Sequence, residues 1–520
     1  MDVYITTDKN YTTDLPPIIK KEFDLTNKTA EDVVTHEIYG LKNHIDQLKD
    51  NCSFLIETNY IDKVYRDSFY HYYSSKLNIC KKNCIRISIF DGVIKAVDFR
   101  DKTKFNDLKK SYLGFIVLRP TIPSIVGRSL ISPKALKNNS FLTCTTQIPT
   151  TVYSIKLIIE GFPHSSQDGE TISCAETTIW AIMEYFSNKY AQYKSVLPSD
   201  IISALNSVSA ERQIPSRGLN ITQMSYALKE FGFGTRIYSR QEYGENFENI
   251  LSCYIESGIP LIVAVETPAG MTPRIGHAML CTGHEPKQDY MIDTLSGTFI
   301  RSEKLKKAIA AKNIIIFDND DIRRKFIFID DNFPVYQKNS LNRPCENYNP
   351  GKYPNWNSCN LTHFLVPLYS KVYLETFQAK SYVRSFLIQG PAPLQDYSKI
   401  FLRTYLTSNR SYKNWLIYSD FSPPDLKEYV LNLPMPKFIW ITEITTKELM
   451  KGNDPKAEGI IILDATEPNT FNNQALIFAA YQNRQIKYSA EKECFEDISI
   501  SLPKFSIFEN LSNYSNDKTN

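Results

Sequence analysis

The sequence predicts an α+β fold in three parts: a central domain of helices followed by strands, flanked by two α/β domains. Three observations predict it. A polar loop ending in Cys174 runs straight into an apolar helical pattern, Ala175 to Tyr190. Further helical segments follow, and only then the β-branched runs Ile259–Val265 and Ile275–Glu285. On either side, residues 1–155 and 367–511 mix helical periodicity with short apolar runs of strand length.

A chain of 520 residues carries a length prior of about three domains. Its 42% hydrophobic content fills sizeable cores. Sixty basic residues against 57 acidic ones leave a net charge of +3, too even for a field that would gather nucleic acid or an anionic membrane. The opening MDVYITTDKNYTTD lacks the basic and apolar regions of a secretory signal. No apolar run approaches the roughly 18 residues that span a bilayer. Ten cysteines scattered over this length do not read as a disulfide framework. The expectation is a bacterial cytoplasmic protein without cofactor, nucleic-acid partner or membrane association.

In the first part, Ala30–Lys49 and the tyrosine-rich Asn59–Leu77 read as helices. Cys84–Ala96 reads as two strands about an Asp91-Gly92 turn, and Tyr112–Pro120 as a buried strand. Cys80 and Cys84 lack a second Cys/His pair at zinc spacing, and Lys81 and Lys82 oppose a cation, so no metal site is expected. Val152–Ile159 is a strand leading to the Cys174 loop.

Cys174 falls on the first turn of its helix. Free N–H groups and the positive end of the helix dipole favour a thiolate there. Gln167, seven residues earlier, carries an amide that can face an oxyanion, and Asp168 shapes the same loop. Helices follow around Ser199–Ser207, then at Ser216–Phe233, capped by Asn220 or Thr222, and at Phe247–Ser257 with Gly258 at its end. His277 opens the strand pattern IGHAMLCTGHE. His284 lies seven residues on, so strand alternation turns it to the other face and it reads as structural. His36, His44, His71, His164 and His363 have no comparable setting.

Two places offer a carboxylate. Asp293, in DYMIDTLSG, lies sixteen residues after His277, a hairpin's reach. Asp330 and Asp331 end the β-rich run KFIFIDDNFPVY, and choosing them makes residues 286–324, with a Lys304–Ala311 helix, an insertion.

The order Gln167, Cys174, His277, Asp resembles the papain-like cysteine peptidases, and most closely the bacterial peptidases that trim double-glycine leader peptides and the uncharacterised proteins similar to them. The resemblance covers roughly residues 155–340. It implies a papain-like domain at 156–366, with a helical half bearing the nucleophile and an antiparallel sheet half. It implies Cys174 as nucleophile, His277 as base, Gln167 at the oxyanion, and one of Asp331, Asp330 or Asp293 orienting the base. Asp331 is favoured over Asp330, because the leader peptidases use the second residue of their pair. The implied substrate is a peptide or protein amide. The same residues serve acyl transfer or deamidation, and a non-catalytic sensor or scaffold can retain them. No motif identifies the regulatory protein partner, or the autocleavage, that such flanking domains suggest.

Beyond Pro367, Lys371–Gln389 and Asp396–Thr407 read as helices. Lys437–Glu443, Glu458–Asp464 and Ala475–Tyr481 read as strands, with a helix at Thr445–Lys451 between the first two. Residues 512–520 read as a disordered tail.

Overall fold

A computed structural model describes residues 2–25, 27–35, 41–77, 80–122, 124–209, 212–395, 399–419, 424–469, 474–489 and 494–515. The fold is α+β, built on three mainly antiparallel sheets. The first runs, in spatial order, Val3–Thr7, Cys52–Tyr60, Cys84–Asp91, Tyr112–Leu118, Val126–Ile131, Ile155–Ser165, Thr146–Val152. It therefore extends past residue 155, and its strand Ile155–Ser165 delivers the chain to the Cys174 loop. Only one strand comes from Cys84–Ala96. Asp91 ends that strand and Gly92 follows as a bend at φ 75°, and the partners of Cys84–Asp91 are the strands Cys52–Tyr60 and Tyr112–Leu118. The expected Ala30–Lys49 helix is represented by Asn27–Thr35 and Lys42–Asp46, and residues 36–40 lie outside the described residues.

The second sheet runs Gln337–Asn339, Phe326–Ile329, Gly276–His284, Leu261–Glu266, Asn360–Tyr369, Phe233–Ser239. Two short strands, Leu142–Thr143 and Ser512–Asn513, extend it at the His284 end. The segment expected as a disordered tail thus begins with a paired strand and the buried Tyr514, because Ser512 and Tyr514 bond to Glu160 and Ser512 to Thr145. Residues 516–520 are outside the described residues.

The third sheet runs Ile315–Asp318, Lys399–Ser408, Phe438–Thr445, Gly459–Asp464, Leu476–Tyr481, Arg484–Ser489, Cys494–Ser499. Of the expected helix Asp396–Thr407, residues 399–407 are a strand here and 396–398 lie outside the described residues. Its run IFLRTYLTS is rich in β-formers, and it pairs in parallel with Ile315–Asp318 and antiparallel with Phe438–Thr445. Ile315–Asp318 lies within the residues expected as an insertion, and it joins the sheet of the C-terminal part.

One hydrophobic core runs from Tyr11 to Leu511 through all three parts. At its centre is the helix Cys174–Lys189. Ala175 to Phe186 are all buried, the polar Glu176, Thr177, Thr178 and Glu184 among them, so this helix is covered on every side. It packs on Ile155–Ser165 and on Gly276–His284. Among the described residues, no helix is long and apolar enough to cross a membrane.

A buried ionic cluster ties the second sheet to the third. Arg403 donates to Glu256 at 2.7 Å and Glu443 at 2.8 Å. Glu256 also accepts from Arg324 at 3.1 Å and pairs with His284 at 3.0 Å. His284 therefore sits in a structural network at the far end of its strand from His277.

Candidate active site

The loop before Cys174 is held from both sides. The Asp168 carboxylate accepts the backbone N–H groups of Glu170, Thr171 and Ile172 at 2.7–3.0 Å. The Arg119 guanidinium donates to the carbonyls of Gln167, Ser124 and Val126. Ser173 caps the helix reciprocally with Glu176: its N–H donates to Glu176 Oε2 at 3.1 Å, and Ser216 Oγ donates to Oε1 at 2.7 Å. This fixes Cys174, which is half-buried, at the helix N-terminus, where the first N–H groups have no partner within the helix.

His277 is brought to it by sheet register. Gly276–His284 pairs antiparallel with Phe326–Ile329, with Leu280 opposite Ile329. Continuing that register past Ile329 runs the chain back alongside His277. His277 Nε2 donates to Asp330 Oδ1 at 3.0 Å and lies 3.7 Å from Asp331 Oδ1. Cys174 is close enough to His277 for its charge to act on the ring. All three polar partners are buried: His277 is 6% exposed, Asp330 3% and Asp331 6%.

Asp330, the first of the pair, therefore holds the position for which the second was favoured. It is well provided with donors. Oδ1 also accepts the Asn332 backbone N–H at 3.0 Å, and Oδ2 accepts the Tyr348 hydroxyl at 2.8 Å. Asp331 turns instead toward the helix, where Thr177 Oγ1 donates to its Oδ2 at 3.3 Å and to the Cys174 carbonyl at 2.8 Å. Asp331 Oδ1 is buried without a hydrogen-bond partner. Asp293 is remote from the cluster. It ends the short helix Asp289–Asp293, is exposed, and pairs with Lys451.

Gln167 joins the cluster from the other side. Its amide donates to Asn332 Oδ1 at 2.8 Å, and Asn332 Nδ2 donates to the Tyr348 hydroxyl at 3.0 Å. One amide proton of Gln167 is thus spent on Asn332, and one remains for an oxyanion.

Charge follows this geometry. Burial works against the His277 imidazolium, but the Asp330 carboxylate and then Cys174 outweigh it and hold the ring well above its ordinary 6.5. Burial would likewise raise Asp330, yet the His277 charge and the bonds from His277, Asn332 and Tyr348 keep it below 3.8. Asp331 is pushed up to about 7. Burial raises it, His277 opposes, and the Asp330 charge raises it further. Two adjacent carboxyls beside one imidazole thus settle as one ionised and one protonated acid.

Four supporting residues carried no motif. Tyr348 bonds Asp330 as described. Trp356 stacks on Tyr348 at 4.3 Å and meets the His277 ring edge-on at 5.2 Å between centroids. His164 Nε2 bonds the Asp330 carbonyl at 3.2 Å while Nδ1 bonds Ser129 Oγ at 2.9 Å, and burial holds its pKa down to about 4. Thr177 connects Asp331 to the helix. Only Thr177 had a readable signal, lying one helical turn beyond Cys174.

His277, Asp330 and Asp331 also place ligand atoms within 4.8 Å of one another, close enough to share a cation. Here Nε2 and Asp330 Oδ1 are committed to each other, and only Asp331 Oδ1 is unengaged. No protein-family model matches the chain, and no curated protein matches it.

Proposed function

We propose that this chain is a papain-like cysteine peptidase, acting on a peptide or protein amide through Cys174, His277 and Asp330. The observation that carries the reading is the buried His277–Asp330 pair at 3.0 Å, with Cys174 at the N-terminus of its helix close enough to act on the same ring. In the proposed reaction the Cys174 thiolate attacks the carbonyl carbon. The imidazolium hands its Nδ1 proton to the departing amine, leaving a thioester. Water, deprotonated by the same ring, then releases the acid. Asp330 accepts Nε2–H throughout, which fixes the tautomer and steadies the imidazolium. The Cys174 N–H and the second amide proton of Gln167 serve the oxyanion, at about 3 kcal/mol per donor. Acyl transfer or deamidation differs only in which nucleophile reaches the thioester or which amide enters.

The test is alkylation of the native protein with limiting iodoacetamide across a pH series, read for each cysteine by mass spectrometry, beside His277→Ala. Cys174 is expected to react far ahead of the other thiols below about pH 8.5, the value of a free thiol, and to lose that lead without His277. A Cys174 no faster than the exposed Cys494, or indifferent to His277, refutes the thiolate–imidazolium pair and leaves the non-catalytic reading.

A further inference from the structure

We propose that His277, Asp330 and Asp331 form a binding site for a divalent ion of the Zn2+ kind, which takes the ring and its carboxylate out of use while it is bound. Each side chain offers one ligand atom, and these atoms lie within 4.8 Å of one another. Asp330 Oδ1 is 3.0 Å from His277 Nε2, and Asp331 Oδ1 is 3.7 Å from it. Four-coordinate Zn2+, with bonds of about 2.0–2.2 Å to nitrogen and oxygen, spaces its ligands about 3.3–3.6 Å apart. The two separations fall on either side of that range, so small side-chain movements bring all three atoms onto one ion.

The carboxylates are already turned for it. Asp330 Oδ2 accepts the Tyr348 hydroxyl at 2.8 Å, and Asp331 Oδ2 accepts the Thr177 hydroxyl at 3.3 Å. On each acid one oxygen is tied back to the protein and the other is left on the side of the ring. Outer groups orient the ligands of a metal in this way. The strongest observation is Asp331 Oδ1. Its side chain is 3% exposed, yet this oxygen has no hydrogen-bond partner among the described residues. A buried polar atom in that state is costly and calls for a partner. The Nε2–H of His277 is given to Asp330. An ion between the three atoms engages both carboxylates together.

The donor set selects the ion. Mg2+ and Ca2+ take about six or more oxygens, whereas one imidazole and two carboxylates suit Zn2+, with water in the fourth place. On binding, the imidazolium loses its Nε2 proton to solvent and offers the lone pair left behind. The two carboxylates then offset the two charges of the ion, and the buried centre is neutral. The site stands on its own geometry. Its consequence rests on the peptidase reading: the ion holds the base of Cys174, so hydrolysis stops until the metal is withdrawn.

The experiment uses the full chain carrying Cys174→Ala, so that ion binding is measured apart from the peptidase reading. The protein is stripped with EDTA, then titrated with Zn2+ by calorimetry and with Co2+ by visible absorption. The expected result is saturable binding of one ion per chain, with the Co2+ bands of a four-coordinate nitrogen–oxygen site and no sulfur charge-transfer band. Adding Asp331→Asn or His277→Ala should weaken Zn2+ at least about tenfold, since even outer-shell partners are worth that much. Circular dichroism checks the fold of each variant, and should one fail to fold the other decides. Absence of saturable binding overturns the proposal. So does binding that both variants keep, or a sulfur charge-transfer band, which places the ion on the other cysteines. In the parent chain, saturating Zn2+ should slow alkylation of Cys174 to its rate in His277→Ala. A Cys174 that is slow even without Zn2+ defeats the peptidase reading and leaves an ion site found in Cys174→Ala standing.

Discussion

Replacing Asp331 by Asn should stabilise the protein, and more so as the pH rises. In the unfolded chain the carboxyl titrates at its ordinary 3.8, and in the folded protein at about 7. Below pH 3.8 both forms are protonated and nothing is lost. Between the two values the unfolded chain ionises and the folded one does not, so stability falls as pH rises. Above 7 the folded state carries the full cost of a buried carboxylate. At about 1.4 kcal/mol for each pH unit, that cost is on the order of 1.5 kcal/mol at pH 5 and 4 kcal/mol at pH 8. Asn keeps a carbonyl oxygen for the Thr177 hydroxyl and has no charge to bury. Its advantage over the parent should therefore grow by roughly 3 kcal/mol from pH 5 to pH 8. The raised His277 and lowered Asp330 produce their own trends, present in both proteins and largely cancelling in the difference. The assay is urea unfolding of both proteins at several pH values, read by tryptophan fluorescence. A variant whose advantage is flat with pH, or that is less stable at pH 8, refutes a protonated Asp331 and the one-charge account of the pair.

Tyr348→Phe removes the hydroxyl that donates to Asp330 Oδ2 and accepts from Asn332. It should cost about 1.5–3 kcal/mol, as for a hydrogen bond to a charged group. The loss should be largest near neutral pH and shrink in acid as Asp330 protonates, which urea unfolding across pH would read. Arg403→Met should be more damaging, because it leaves Glu256 and Glu443 buried with fewer cations. A loss of about 3–5 kcal/mol is expected, partly recovered when Glu256 is also changed to Gln, and followed by urea unfolding.

Local patterns made some of this visible beforehand, and long-range pairing hid the rest. The Cys174 helix was legible because its boundary signals and its apolar run agree, and they lie within a few residues of each other. The capped helix Ile221–Glu230 was legible for the same reason, with Asn220 and Gln223 bonding reciprocally. Lys399–Ser408 was misjudged because what makes it a strand lies elsewhere, in Ile315–Asp318 and Phe438–Thr445. The strand Cys84–Asp91 was legible, yet the residues just after Gly92 form no second strand to close the expected hairpin. Tyr348 and Trp356 sit in a segment of single turns with no period, so only the folded chain connects them with Asp330 and His277.

The choice between Asp330 and Asp331 shows where sequence ends and physical accounting begins. Two neighbouring carboxyls look equivalent in a string, and the register past Ile329 brings both within reach of one imidazole. What separates them is the supply of donors. Asp330 collects three, from His277, Asn332 and Tyr348, enough to keep a buried anion ionised. Asp331 collects one weak donor from Thr177 and keeps an oxygen without a partner, so at neutral pH the proton is better placed there. An anion that must steady an imidazolium is useful only if it stays charged as the ring changes state. The groups that decide the matter, Asn332 and Tyr348, touch neither the sulfur nor the imidazole nitrogens. They set which of two identical side chains carries the charge, and through it the orientation of His277 toward Cys174.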